Sequence, residues 1–368
     1  MTGELRILIA AGATGGHIMP AVAMARAIEG ARPEAKILFV GTGRPAEAAI
    51  LDSYSWPRES LTLRGFKGGG LKNLPGAVYL ALKALFKSVD LVRKFRPSLA
   101  IATGGYVCGP VGLAVKLSGA PLVIHEQNSL PGLTNRWLGL LADKILLAFP
   151  ETVKEFSQKK AMVVGNPVRS EIAALGKIEK NFSDKPLTLV ILGGSQGSKA
   201  INLGAMEAAR RAKDRGISLK VIHQTGEMME DEVRRAYAQM GVEAEVKSFF
   251  SDMASVYLRG HLAICRAGAL TVFELAACKL PAILVPLPTA ADDHQTKNAL
   301  ALEELGLAKV VRQEDMEGGL LTKTALDLLE SPFVLNKMRQ SDLSALQGLS
   351  DEGSKDLAEK LIAIAGSK

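Results

Sequence analysis

His17 stands directly after a glycine turn, "AAGATGGH", that gathers Gly12, Thr14, Gly15 and Gly16 ahead of the imidazole. Such a turn at a helix start offers backbone N–H groups and the positive end of a helix dipole to a phosphate. An imidazole, with an ordinary pKa of about 6.5, is suited to take a proton at neutral pH. A second turn, "LGGSQGSK", sets Ser195 between Gly194 and Gly197, the same three-residue spacing as Gly12 and Gly15. Other polar residues crowd behind apolar runs: Gly104, Gly105 and Tyr106; His125 to Asn128; Glu274 in "CRAGALTVFE"; Asp292, Asp293, His294, Gln295 and Asn298. Each cluster falls where α/β sheets bind ligands, at the C-terminal ends of strands. The set suits the walls of a cleft for a nucleotide sugar, in which helix N-termini with a cation such as Arg169 would meet a leaving diphosphate.

Positioning these residues requires parallel strands alternating with helices. The apolar runs "RILIAA", "KILFVG", "LAIATGG", "PLVIHE", "KILLAF" and "MVVGN" fill the first half of the chain. "LTLVILGG", "LKVIHQTG", "AEVKSFF", "HLAICRAG" and "PAILVPLP" fill the second, with helical patterns between most of them. The repeat of strand and glycine turn after about 180 residues predicts two similar doubly wound α/β domains. The boundary is expected after "VVGNPV", giving domains 1–168 and 169–345, with 346–368 a terminal helix whose packing the pattern leaves open.

Several functions are disfavoured by what the turns lack. Neither reads G-x-x-x-x-G-K-[ST], so a P-loop is excluded. The first is not G-x-G-x-x-G, and "KILFVGTGR" closes without an acid, which argues against nicotinamide. There is no D-x-D, and the adjacent Asp292 and Asp293 point apart, so neither a metal nor another cofactor is expected. Cys108, Cys265 and Cys278 are scattered, which fits a reducing compartment. No signal peptide and no apolar stretch of spanning length is legible. Charge is uneven: residues 1–168 hold 20 Lys and Arg against 11 Asp and Glu, the remainder 25 against 27. The first half is therefore expected to meet something anionic.

The motifs "GATGGH", "ATGGYVCGP", "HEQNSLPGLTN", "VVGNPVR", "GGSQGS", "CRAGALTVFE" and "DDHQTKNA" follow one another in the order of the MurG family, which the chain resembles to about residue 310. These are the transferases that move N-acetylglucosamine from its UDP ester to lipid I in peptidoglycan synthesis. The resemblance implies a GT-B fold, two Rossmann-like domains facing a cleft, with acceptor on the N-terminal side and UDP-sugar on the C-terminal side. It implies that Thr14, Gly15 and Gly16 lie near the donor diphosphate, that Asn128 and Arg169 touch the donor, and that Ser195 reaches phosphate. The helix start Ala269, Leu270, Thr271, Val272, Phe273 and Glu274 would hold the donor, with Glu274 on the ribose. Gln295 would meet the sugar hydroxyls, and the backbone of Phe250 would read uracil. Gly104, Gly105, Tyr106 and His125 would lie on the acceptor side. Ala13 replaces a common family glycine, and His294 stands where some relatives have glutamine.

Inversion at the anomeric carbon needs a base on the acceptor hydroxyl, which gives the first turn a use for His17; His125 is the rival, and His223 and His261 read as structural. Lipid I is membrane-embedded, so the partners expected are UDP-N-acetylglucosamine, lipid I and an anionic membrane surface at the cytoplasmic face, not nucleic acid. Proteins of cell-wall synthesis are possible further partners. In "LKNLPGAVYLALKALFKSVDLVRKF" the stripe Val78, Leu82, Leu85, Val89 and Val92, with Lys83, Lys87 and Lys94 on another face and Arg93 and Arg96 close by, predicts a basic amphipathic helix lying on the bilayer. The "FKGGGLKNL" before it reads as an acceptor-side loop. A UDP-N-acetylglucosamine 2-epimerase would need more carboxylates and no membrane surface; a non-catalytic nucleotide-sugar regulator would have no use for the base.

Overall fold

The computed structural model describes residues 4–12, 15–63, 74–194 and 196–366. The chain divides into two compact units, Met1–Val168 with Leu346–Lys368, and Arg169–Ala345.

The N-terminal unit runs β1 (Arg6–Ala10), α1 (Gly15–Ala31), β2 (Lys36–Gly41), α2 (Pro45–Leu51), β3 (Arg58–Ser60) and α3 (Leu74–Phe95). It continues with β4 (Leu99–Ala102), α4 (Cys108–Ser118), β5 (Leu122–Glu126), α5 (Leu133–Leu141), β6 (Lys144–Leu147) and β7 (Ala161–Val163). All seven strands are parallel, in the order β3-β2-β1-β4-β5-β6-β7. The strands are short apolar runs because both faces are covered by helices. Ala84, Val92, Val111, Val115 and Leu138, from α3 to α5, close one face. Ile18, Val22, Ala25 and Ile28 of α1 close the other.

The C-terminal unit starts with a short α6 (Ser170–Ala173), then β8 (Leu187–Leu192), α7 (Lys199–Asp214), β9 (Leu219–Gln224), α8 (Glu230–Met240) and β10 (Glu243–Lys247). After these come α9 (Met253–Arg259), β11 (Leu262–Cys265), α10 (Ala269–Ala277), β12 (Ala282–Leu284), α11 (His294–Glu304) and β13 (Ala308–Val310). Its parallel sheet has the order β10-β9-β8-β11-β12-β13. Two further helices, α12 (Leu320–Leu329) and α13 (Pro332–Arg339), precede the return to the first unit.

Every apolar run read from the sequence is a strand. Two strands, β3 and β13, have no such run; they are three-residue strands at sheet edges, and β3 is exposed throughout. The terminal helix, α14 (Asp351–Ala365), packs on α1 and buries Leu357, Ala358 and Leu361 in that core. Where the chain returns, Gly165 passes so close that a Cβ there would lie 1.7 Å from the Gln347 carbonyl oxygen, at a φ of +76°. Only glycine fits such a crossing. Among the described residues no helix is long and apolar enough to cross a membrane.

Candidate active site

The first glycine turn joins β1 to α1 and touches the loop after β4. The Gly12 amide donates to the Gly104 carbonyl at 2.9 Å. His17, half-buried in the first turn of α1, has Nδ1 3.2 Å from the Gly12 carbonyl oxygen. A carbonyl only accepts, so Nδ1 carries the hydrogen and the neutral ring has its lone pair on Nε2. The ring lies against Gly104: a Cβ there would sit 2.7 Å from His17 Cδ2 and 2.9 Å from Nε2, and the φ of +114° also demands glycine. Gly12, His17 and Gly104 thus form one contact set that fixes the ring. Gly105 follows, and Tyr106 is about half exposed. Gly15 and Gly16 open α1, while Thr14 lies outside the described residues.

The end of β5 corrects the reading of His125 as a rival base. It is wholly buried, its Nε2 donates to the Gly165 carbonyl at 3.0 Å, and its Nδ1 accepts from Gln127 at 3.1 Å. Burial pushes its pKa down to about 4. Nε2 holds β5 to the chain beyond β7 and Nδ1 is taken by Gln127, so both nitrogens are committed and this imidazole is structural. Beside it the buried Glu126 carboxylate accepts from the amides of Asn128 (3.0 Å) and Gly132 (3.1 Å) and from the side chain of Asn135 (2.9 Å). Burial raises its pKa against the lowering effect of those bonds. Glu126 therefore shapes the loop that presents Asn128, whose own Nδ2 donates back to it at 3.2 Å.

In the C-terminal unit the sequence-predicted residues Arg169 and Glu274 meet although 105 residues separate them: Nη2 donates to Oε1 at 2.9 Å. Tyr257 donates to the other oxygen at 3.0 Å. Glu274 is almost fully buried, and burial raises its pKa despite the lowering effect of Arg169. The N-cap of α10 is Gly268, which has no side chain to bond the leading amides, and Ala269, Leu270 and Thr271 form the first turn, an arrangement suited to an anion. Val272 and Phe273, by contrast, are fully buried core residues. Gln295 gives its carbonyl oxygen to the Leu287 amide at 3.0 Å, which leaves its NH₂ as the group to meet a hydroxyl. The Phe250 amide is bonded to Gln224 Oε1 at 3.0 Å, so a base reading that edge would have to displace the glutamine. Ser195 lies outside the described residues. His223, between Tyr237 and Asn202, is buried, and His261 accepts from the Thr188 amide.

Residues 7–147 match the glycosyltransferase family 28 N-terminal domain, and residues 188–361 the family 28 C-terminal domain. The chain is 42% identical over 340 residues to the UDP-N-acetylglucosamine–N-acetylmuramyl-(pentapeptide) pyrophosphoryl-undecaprenol N-acetylglucosamine transferase of Hahella chejuensis, covering 92% of each. The enzyme of that name from Anaeromyxobacter sp. is 39% identical, with 92% of this chain and 88% of that protein covered. The crystal structure of Acinetobacter baumannii MurG superposes with a TM-score of 0.78 at 30% identity, covering 98% of this chain and 99% of that one. The chain belongs to glycosyltransferase family 28, among the MurG enzymes. A UDP-N-acetylglucosamine 2-epimerase from Neisseria meningitidis shares the fold, with a TM-score of 0.68 at 14% identity and coverage of 98% and 100%.

Two residues of this family 28 chain, Gln224 and Arg266, carry site geometry without having been singled out in the sequence, and Glu126 carries more than its place in the polar cluster His125 to Asn128 indicated. Glu126 organises the β5 loop. Gln224 occupies the Phe250 amide. Arg266, straight after β11, donates to Ser198 Oγ and Gln313 Oε1, both at 2.7 Å, and to the Val285 and Pro286 carbonyls. A charged residue closing a buried strand, as Glu126 does in β5, or directly after one, as Arg266 is after β11, was the available signal; nothing in the pattern marks Gln224.

The basic-helix reading also changes. Val92 is buried and Leu85 and Val89 pack inward, whereas Tyr79, Leu82 and Phe86 are the exposed apolar residues of α3. Lys87 pairs with Glu59 and Lys94 with Asp90. The loop at 66–73 lies outside the described residues, and of Val78 only its place in the helix is described. Neighbouring helices on the same face expose Leu113 of α4 and Leu133, Trp137 and Leu140 of α5.

Proposed function

We propose that the N-terminal unit holds the acceptor and supplies the base, and that the C-terminal unit holds the donor. The activity is transfer of N-acetylglucosamine from UDP-N-acetylglucosamine to lipid I, giving lipid II. His17 Nε2 takes the proton of the MurNAc C4 hydroxyl as its oxygen bonds to the anomeric carbon. The bond from that carbon to the diphosphate breaks on the opposite side, so configuration inverts and UDP leaves. What carries this reading is the ring's orientation: Nδ1–H on the Gly12 carbonyl keeps the basic lone pair on Nε2.

The uncapped start of α10 meets the diphosphate, with Arg169 as the nearby full charge. Arg169 is itself oriented by Glu274, whose oxygens each keep a second lone pair for a ribose hydroxyl. Gln295 completes the donor contacts of this unit. Tyr106, exposed beside Gly104 and Gly105, lies on the acceptor side.

The enzyme works as a peripheral protein at the cytoplasmic face of the membrane. Tyr79, Leu82 and Phe86 of α3, with Trp137 and Leu140 of α5, supply an apolar docking face, and Lys83 adds charge. Incubating the chain with radiolabelled UDP-N-acetylglucosamine and a short-chain lipid I analogue tests the activity. Label is expected in the lipid product; label recovered as free or epimerised sugar with none in lipid would overturn it.

A further inference from the structure

At the opposite end of β4 and β5 from His17, a cavity of about 930 Å³ opens into the N-terminal unit between the last turns of α3 and α4. Val92 and Leu117 give it an apolar wall, Ser98 and Ser118 bring hydroxyls, and Arg93 and Arg96 stand at it three residues apart. Neither guanidinium has an ion-pair or hydrogen-bond partner among the described residues, while Lys87 and Lys94 on the same helix are both paired. Arginines near a helix C-terminus serve the helix dipole in many proteins, and that role is the simpler alternative. The magnitudes favour more. The ends of α3, α4 and α14 each bring about half a negative charge, and two full guanidinium charges exceed them. Arg96 also sits just past α3 at a φ of +48°, a place and conformation that glycine normally fills.

The cavity is within the range of about 300–1,000 Å³ that takes small organic ligands, and it is roomier than a bare phosphate needs. Leu117, 70% exposed, belongs both to its wall and to the outward apolar face of α4 that also carries Leu113. An aliphatic chain seated on Leu117 can therefore continue along that face while an anionic head stays with the arginines.

We propose that this cavity binds a single acidic phospholipid, its phosphate forked by Arg93 and Arg96 and its tail laid over Leu117. The inference extends the membrane-docking reading by naming a lipid-specific site away from the reacting groups. Calorimetric titration of the full chain with dihexanoyl phosphatidic acid, dihexanoyl phosphatidylcholine and inorganic phosphate tests it. Phosphatidic acid should saturate one site, and the other two should bind at least about tenfold more weakly. Arg93→Gln with Arg96→Gly, the latter suited to the left-handed backbone, should weaken phosphatidic acid about tenfold or more while UDP binding and transfer to a soluble acceptor stay unchanged. The exposed single change Arg93→Gln should move affinity the same way. Equal binding of inorganic phosphate, or undiminished phosphatidic acid binding by both variants, would overturn the site. Failure of sugar transfer with lipid binding intact would count against the enzymatic reading alone.

Discussion

The imidazole of His17 rests on the Cα of Gly104, so closely that a methyl group at 104 would lie 2.7 Å from its Cδ2. The same ring is tied by Nδ1 to Gly12, whose amide is bonded to the Gly104 carbonyl. A base held by backbone at two points that are bonded to each other has little freedom to misplace its lone pair, and small errors of placement are costly in catalysis.

Gly104→Ala should therefore lower kcat by displacing the ring, and combined with His17→Ala it should cost little beyond His17→Ala alone. Steady-state kinetics of the two single variants and the double variant give the comparison. Additive losses would mean that Gly104 acts independently of the imidazole.

Two buried histidines make stability depend on pH. Burial holds His125 at about 4 and His223 at about 3, below the unfolded value of about 6.5. Between those limits the unfolded chain binds more protons, so their contribution is complete above about pH 6.5 and is lost as pH falls. At pH 5 each should cost roughly 2 kcal/mol. Urea unfolding at pH 7.5 and pH 5 measures the decline, and His125→Asn should flatten it by its share. An unchanged slope in that variant would remove His125 from this account.

The Arg169–Glu274 pair should behave as a buried unit. Arg169→Met strands a carboxylate and is expected to destabilise by about 3–5 kcal/mol, whereas Arg169→Met with Glu274→Leu should recover much of that. UDP affinity by calorimetry should fall in both. Full UDP affinity in the double variant would show that neither residue serves the donor.

On α3, Leu82→Ser with Phe86→Ser should weaken binding to anionic vesicles about tenfold or more, since each buried apolar side chain contributes roughly 1.5–3 kcal/mol. Changing Lys87 and Lys94 to glutamine should matter less, because each already pairs with an acid. Co-sedimentation at two salt concentrations separates the contributions. Greater loss from the lysine changes would restore a chiefly electrostatic docking.

The strands were legible because parallel strands buried on both faces must be apolar and end in turns that need glycine. The place of His17 was legible for the same reason. What was hidden depended on contacts distant in the chain. A histidine at a strand end reads the same whether its ring faces a ligand or, like His125, the carbonyl of Gly165. The α3 stripe gave a period but not which edge faced the core, and Val92 and Leu82 went opposite ways. Lys87 lost its expected freedom to Glu59, an acid on the short polar strand β3 that carries no apolar signal.

The most direct measurement is the turnover of His17→Ala with a soluble lipid I analogue, paired with its calorimetric affinity for UDP. Loss of a general base predicts a kcat lower by roughly 10²–10⁴-fold with UDP affinity nearly unchanged. A kcat equal to that of the native chain would contradict the assignment of His17 as the base, and with it the account of why an imidazole ends this glycine turn.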